Sequence, residues 1–369
     1  MKSKIPFLNL RKIAAESREE TLRAIGEVID SASFIQGKEL STFEAEFADW
    51  VGVGNHVVGV ANGTDAITIA AESLRLPENS EVIVPAMTYF ATASALIQAG
   101  LKIRLVDVSP GTWLLDSSAT KNSITKDTRL LAPVHLYGQM APMSEIKAIA
   151  EANDLRILED AAQAHGSRYR ERPVGHWGDI ATYSFYPGKN LGAFGDAGAI
   201  LSRDKDLITL CRALGNQGGI QKYHHDYVGY NSRLDTLQAA VLRVKLKDLN
   251  RSNGVRQKIA TAYQEMLSGI DGLELPVVSP HAVHTYHLFV VLVEDREKFI
   301  NHMKERGVDT GIHYPQAIHQ HPAFRDLPFA RESFPNAERV ARCGVSLPIC
   351  PTLTSEEVER VAESVREFF

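Results

Sequence analysis

A chain of 369 residues is too long for one ordinary hydrophobic core and predicts about two domains. Its 44% hydrophobic and 23% charged residues are the make-up of a soluble globular protein. A net charge of −5 with both signs interspersed leaves no basic block to neutralise a phosphate backbone, which excludes nucleic acid as a main partner.

No apolar run reaches the length of a membrane span, and the opening MKSKIPFLNLRK lacks the apolar core of a signal peptide, so no membrane partner is expected. Cys211, Cys343 and Cys350 have no metal-ligand spacing and cannot all pair. They predict idle thiols in a reducing cytoplasm and no metal site.

The first fifty residues read as a helical arm and docking segments. Seven apolar runs follow, at 57–62, 81–86, 103–108, 129–136, 156–162, 180–185 and 197–202. Most are continuous rather than alternating, as strands covered on both faces require. Between them, TDAITIAAESL sets Ala66, Ile69, Ala70 and Leu74 on one helical face, and PMSEIKAIAEAN does so with Ile146, Ile149 and Ala150. The alternation predicts an α/β fold with a large, mostly parallel seven-stranded sheet flanked by helices. A long polar-faced helix after SRLDTLQAAVLRVKLKDLN bridges to a smaller C-terminal α+β domain. There TYHLFVVLV reads as a strand, EKFINHMKERG as a helix closed by Gly307, and Thr354 to Glu357 as the capping box of the final helix. The expected boundaries are 1–250 for the large domain and 251–369 for the small one.

The chemistry concentrates where strands end. Lys189 lies in SFYPGKNLGAFGDAG among Gly188, Gly192 and Gly195, and Asp160 ends the apolar strand RILED. Singly, these read as a surface lysine in a glycine-rich loop and an acidic strand terminus. Together they offer what pyridoxal phosphate needs from a protein, a Schiff-base amine and a carboxylate beside the pyridine nitrogen. Gly63 and Thr64 follow the first strand and open a helix, which makes either an anion site or an ordinary Asn-Gly turn with Thr64 as the cap. Tyr89, in the string Thr88-Tyr89-Phe90, offers a face on which a flat ring can stack, or a core aromatic. Gln163 stands three residues after Asp160, placed to donate to a ring oxygen, and Ser184 ends IATYSF in reach of a phosphate. His165 reads first as a core or supporting histidine and second as a base.

With these strings in view, the chain resembles the DegT/DnrJ/EryC1/StrS family of nucleotide-sugar aminotransferases, within the aspartate-aminotransferase fold of pyridoxal-phosphate enzymes. The resemblance runs nearly end to end: NGTDA at 62–66, PAMTYFAT at 85–92, HLYGQ at 135–139, EDAAQAHG at 159–166, SFYPGKNLG at 184–192, GYNSRLDTLQAAVL at 229–242 and GIHYP at 311–315. It implies that Lys189 bonds to the cofactor, Asp160 pairs with the pyridine nitrogen, Gln163 meets the ring oxygen and Tyr89 stacks on the ring. Gly63, Thr64 and Ser184 match phosphate ligands. Asn231 matches a residue that reaches the phosphate of the other subunit, which implies a homodimer with shared sites. Tyr186, His313 and Tyr314 match contacts to a nucleotide-linked keto-sugar, and L-glutamate is the implied amino donor. Arg233 is a guess for the donor's carboxylates.

Two departures stand out, Ala197 where GDGG is usual and Ser94 where asparagine is frequent. Gln163 resembles the C-3 aminotransferases, whereas relatives acting at C-4 often carry histidine there. The expected product is therefore a dTDP-3-amino-3,6-dideoxyhexose. A 4-keto-6-deoxyhexose nucleotide and a UDP-3-keto uronic acid remain open as substrates. A sugar dehydratase of the same fold carries histidine in place of Lys189. A cofactor-binding regulatory protein lacks support from any helix-turn-helix or basic stripe. VGVGNHVVG does not fit the dinucleotide fingerprint.

Overall fold

The structure is a computed structural model that describes residues 4–52 and 54–369. Residues 1–3 of the expected N-terminal arm, and Val53 of VGVGNHVVG, lie outside the described residues. The main sheet is built from β1 (His56–Val60), β2 (Glu81–Pro85), β3 (Lys102–Val106), β4 (Thr128–Leu131) and β5 (Arg156–Asp160). After a small hairpin, β6 (Arg168–Tyr169) and β7 (Arg172–Pro173), it is completed by β8 (Ile180–Ser184) and β9 (Gly198–Ser202). The spatial order is β1-β9-β8-β5-β4-β2-β3. All the expected strands are present in one sheet, and most are buried along nearly their full length.

One strand runs against the rest: β9 is antiparallel to both of its neighbours, β1 and β8. The cause is the connection 185–197, which contains no helix. A parallel return needs a crossover of a dozen or more residues, usually helical, so this chain turns straight back. Lys189 rides on that turn, at the carboxyl end of β8.

The pleat divides two adjacent acids. Asp160 faces the carboxyl-end cavity, while Glu159 points to the opposite face, where it lies 2.9 Å from His135 Nε2. Glu159 also accepts from the backbone N–H groups of Gly175 (3.1 Å) and Gly178 (2.7 Å). One carboxylate therefore anchors a loop under the sheet, and its neighbour is left for chemistry.

The N-terminal segment is helical, as expected, over Leu10–Glu16, Arg18–Ser31 and Lys38–Val51. The third helix docks into the core through Phe43 and Phe47, whose rings meet Tyr183 and Phe185 edge-on at 5.1–5.4 Å. Burying each phenyl group contributes about 2–3 kcal/mol.

The C-terminal sheet contains β10 (Leu273–Glu274), β12 (Phe289–Val293) and β13 (Gly344–Leu347); the short β11 (Ala282–Val283) pairs instead with β6. Phe289 and Val291 face a core with Tyr263, Phe299 and Val361. Leu288, Val290 and Leu292 alternate to the other side and join the core that contains Leu105, Val108 and Leu136. That double use of β12 clamps the small sheet against the large one. Gly307 ends the helix Arg296–Glu305 at φ 74°, and the Thr354–Glu357 capping box is closed in both directions.

Four expectations are corrected. The fourth strand stops at Leu131 rather than 136, because Pro133 has no N–H to donate; its carbonyl instead accepts from Asp160 N at 3.0 Å. Thr64 is not the cap of its helix: Asn62 is, accepting from Asp65 N at 2.8 Å. That helix, Gly63–Ser73, is buried on more than the one expected face, from Ala66 through Ala71, because other helices cover its outer side. The long bridging helix is two helices, Thr236–Leu246 and Leu249–Leu267, and the first is not polar-faced. It packs against Arg18–Ser31 and Lys38–Val51, which removes most of its surface from water.

Candidate active site

The carboxyl ends of β1, β2, β5 and β8 open into a cavity of about 870 Å³, the position where open α/β sheets take ligands. Gly63, Thr64, Tyr89, Asp160, Gln163, Ser184, Tyr186, Lys189, His313 and Tyr314 all line it. The sequence scatters these residues over 250 positions, and the fold brings them together.

One end is a cradle of backbone. Gly63 and Thr64 begin a helix, so their first-turn N–H groups have no partner within it. Ser184 closes the other side: a Cβ placed on Gly63 would stand 2.7 Å from the Ser184 Cβ. Gly198 holds the cradle from beneath, because a Cβ there would come within 2.5 Å of the Asn62 carbonyl. Ala197 is absent from the residues with positive φ, and its carbonyl accepts from Phe185 N at 2.8 Å. Its extra methyl is therefore harmless, whereas the glycine beside it is required. Gly192 closes the loop on itself: a Cβ there would meet the Pro187 carbonyl oxygen at 2.4 Å.

The floor carries the acid. Asp160 is 3% exposed, and its two oxygens accept from Thr92 Oγ1 at 2.8 Å and Ala162 N at 3.1 Å. Thr92 is in turn 3.0 Å from Thr88 Oγ1. Neither threonine stands out in the sequence as a site residue. The available signal is that Thr92 lies one helical turn beyond Tyr89. Above the floor, burial lowers the Lys189 amine to about 8, against the opposing pull of the Asp160 charge.

Gln163 is held on both sides: Oε1 accepts from Tyr137 N at 2.7 Å, and Nε2 donates to the Tyr314 hydroxyl at 2.8 Å. One amide hydrogen remains for a ligand. Tyr89 is 55% exposed, tilted against Tyr314 with ring centres 5.2 Å apart, and so is not a core aromatic. Its neighbour Phe90 takes that role, stacked on Phe324. His313 stacks on Phe7, and Tyr137 donates its hydroxyl hydrogen to the His313 carbonyl. Burial and the charge of Lys189 hold the His313 ring down to about 4.

Three sequence candidates lie elsewhere. His165 is fully buried between Tyr183 and Phe185, and both of its ring nitrogens lack a partner. It is a core residue, pushed down to about 3 chiefly by desolvation. Asn231 is exposed and Arg233 bonds Asn216 Oδ1 at 3.1 Å; neither lines the cavity of its own chain. Arg256 and His287, in contrast, line the cavity without having been singled out in the sequence. Among the described residues no cluster of three or more potential metal ligands occurs.

A buried amine of lowered basicity, a carboxylate held by two donors and an anion cradle in one cavity fit pyridoxal phosphate and define a pyridoxal-phosphate-dependent transferase. Residues 15–366 match the model of the DegT/DnrJ/EryC1/StrS aminotransferase family, and the chain belongs to that family. A dTDP-3-amino-3,4,6-trideoxy-alpha-D-glucose transaminase of Streptomyces venezuelae is 43% identical over 99% of this chain and 96% of that protein. A protein of Geobacillus stearothermophilus described as a pleiotropic regulatory protein is 39% identical over 99% and 98%. A dTDP-3-amino-3,6-dideoxy-alpha-D-galactopyranose transaminase of Aneurinibacillus thermoaerophilus is 41% identical over 99% of each chain. The crystal structure of S. venezuelae DesV in complex with a ketimine intermediate superposes with a TM-score of 0.97 at 43% identity, covering 100% of this chain and 99% of that one. The protein is a pyridoxal-phosphate-dependent aminotransferase.

Proposed function

We propose that this enzyme moves an amino group from L-glutamate to C-3 of a 3-keto-6-deoxyhexose carried on dTDP. The product is a dTDP-3-amino-3,6-dideoxyhexose. The observation that carries the reading is the meeting of Lys189, Asp160 and the Gly63–Ser184 cradle in one cavity whose mouth is walled by exposed Tyr89 and Tyr186. That is room for a cofactor in the depth and a bulky sugar nucleotide above it. The names of two transaminase relatives, both acting at a 3-amino position, and the glutamine at 163 support C-3 over C-4.

Bound pyridoxal phosphate supplies an electron sink for the carbanion formed at the donor's α-carbon. Gly63, Thr64 and Ser184 hold its phosphate, Asp160 its pyridine nitrogen, Gln163 its ring oxygen, and Tyr89 covers one face. Lys189 would take the proton from the donor's α-carbon and deliver it to the C4′ position of the bound cofactor, acting first as base and then as acid, and its low basicity makes the neutral amine available near neutral pH. Tyr186, His313 and Tyr314 orient the sugar nucleotide. The division at residue 250 into a large and a small domain places the sugar contacts His313 and Tyr314 on the small one.

We also infer a homodimer in which Asn231 reaches the partner's phosphate. Asn231 is exposed, outside its own cavity, and follows a segment in which Tyr223 is 85% and Val228 97% exposed. A cytoplasmic setting agrees with three buried free cysteines and with the absence, among the described residues, of a helix long and apolar enough to cross a membrane.

The test is purified protein with L-glutamate and a panel of keto-sugar nucleotides, reading 2-oxoglutarate and the aminated sugar. Product from 3-keto-6-deoxyhexose nucleotides is expected. Product from 4-keto substrates alone overturns the C-3 assignment. The regulatory name of the Geobacillus relative gives a second reading, a cofactor-binding protein without turnover, which the same assay rejects if 2-oxoglutarate accumulates.

A further inference from the structure

We propose that Arg256 is the anchor for the α-carboxylate of the amino donor. The inference rests on the aminotransferase reading of this cavity.

Arg256 comes from the helix Leu249–Leu267 and is 3% exposed. Its Nη1 donates to the carbonyls of Ile349 (2.7 Å) and Tyr286 (3.3 Å), both neutral acceptors. Among the described residues no carboxylate pairs with it, whereas the half-buried Arg104, Arg212 and Arg243 each hold a glutamate. Burying a guanidinium without a counter-charge is costly, so a site that keeps one is built for an anion that arrives later. Its basicity falls only to about 10, so the charge persists at neutral pH.

Position selects the anion. Arg256 and Lys189 both line the large cavity and also the smaller one behind it, so the two side chains stand in the wall between them. The donor's α-carboxylate is one bond from the carbon that Lys189 deprotonates, and it must lie in that depth. A sugar nucleotide is too large for it, and its diphosphate belongs near the mouth with Tyr89 and Tyr186. His287 also lines the large cavity, its Nδ1 buried without a partner, and burial first, with the charges of Lys189 and Arg256 added, holds it well below the usual histidine range. It therefore contributes a neutral ring that does not compete for the anion. A planar fork with free N–H groups matches a carboxylate in a way that a lysine cannot.

The experiment separates the two half-reactions spectroscopically, using L-glutamate alone in one direction and the amino-sugar nucleotide product alone in the other. In Arg256→Gln the glutamate half-reaction should fall about 100-fold relative to the sugar half-reaction. Wild type should discriminate against L-isoglutamine, the α-amide of glutamate. The variant should lose that discrimination and keep its preference for L-glutamate over L-glutamine. Calorimetry with glutarate, a dicarboxylate without an amine, should show binding weakened in the variant and partly restored in Arg256→Lys. If Arg256→Gln does not fold, Arg256→Lys carries the test through the same ratio.

Equal loss in both half-reactions, a loss confined to the sugar side, or the glutamate-selective loss in Arg233→Gln instead would each overturn the assignment. Failure of wild type to convert any amino donor would strike the aminotransferase reading itself, which is a different result.

Discussion

Lys189 owes its usefulness to being uncomfortable. Burial lowers its amine to about 8, so near pH 7.5 about a quarter of it is neutral, where an exposed lysine would have roughly 0.1%. Capture of pyridoxal phosphate by cofactor-free protein should therefore rise with pH and level off above about 8, as stopped-flow absorbance would show. The same depression affects stability. Folded and unfolded states are both protonated below about 8, so the burial penalty is complete there and is relieved as pH rises towards the unfolded value. Cofactor-free Lys189→Met should melt above wild type at pH 7, and the gap should close by pH 10. In turnover, Lys189→Ala is expected to be inactive by at least about 1,000-fold, because the covalent partner and the proton carrier vanish together. Thr92→Val leaves an Asp160 oxygen without its donor, and a drop of about tenfold in kcat/KM is expected with the fold intact.

Among the elements, the antiparallel return of β9 matters most. It presses Gly198 against Asn62 and so shapes the phosphate cradle. Gly198→Ala should destabilise the protein by about 1–3 kcal/mol and weaken cofactor retention more than Ala197→Gly does, measured by dialysis and thermal melting. The seven strands were legible because buried strands are written as continuous apolar runs, and the core site residues because each ends such a run or sits in the turn after it. The reversed direction of β9 was not read, although a connection 185–197 too short for a helical crossover was the signal for it. What could not be read was side-chain traffic between distant elements. Thr92 supports Asp160 from 68 positions away, and Arg256 enters from a helix whose apolar pattern says nothing of the cavity. The two-helix break near residue 248 also escaped, since no proline or glycine marks it.

For the whole molecule, the inferred dimer makes a sharp expectation. Lys189→Ala and Asn231→Asp subunits, each inactive alone, should recover about a quarter of wild-type activity when mixed, because half of the dimers are mixed and each holds one intact site. Verified mixed dimers without activity would falsify the sharing of sites. Aspartate is the better probe at 231, since its charge repels a phosphate where alanine merely leaves a gap.

The cradle joins residues 62 and 63 to residues 198 and 184, through strands that are neighbours in space and far apart along the chain. A polypeptide still being synthesised holds its first strand without the partner that shapes it until about two hundred residues have left the ribosome. The cofactor therefore has nothing to grip in a half-made chain. Cofactor binding is expected to stabilise finished subunits and to leave those stalled before β9 emerges unprotected.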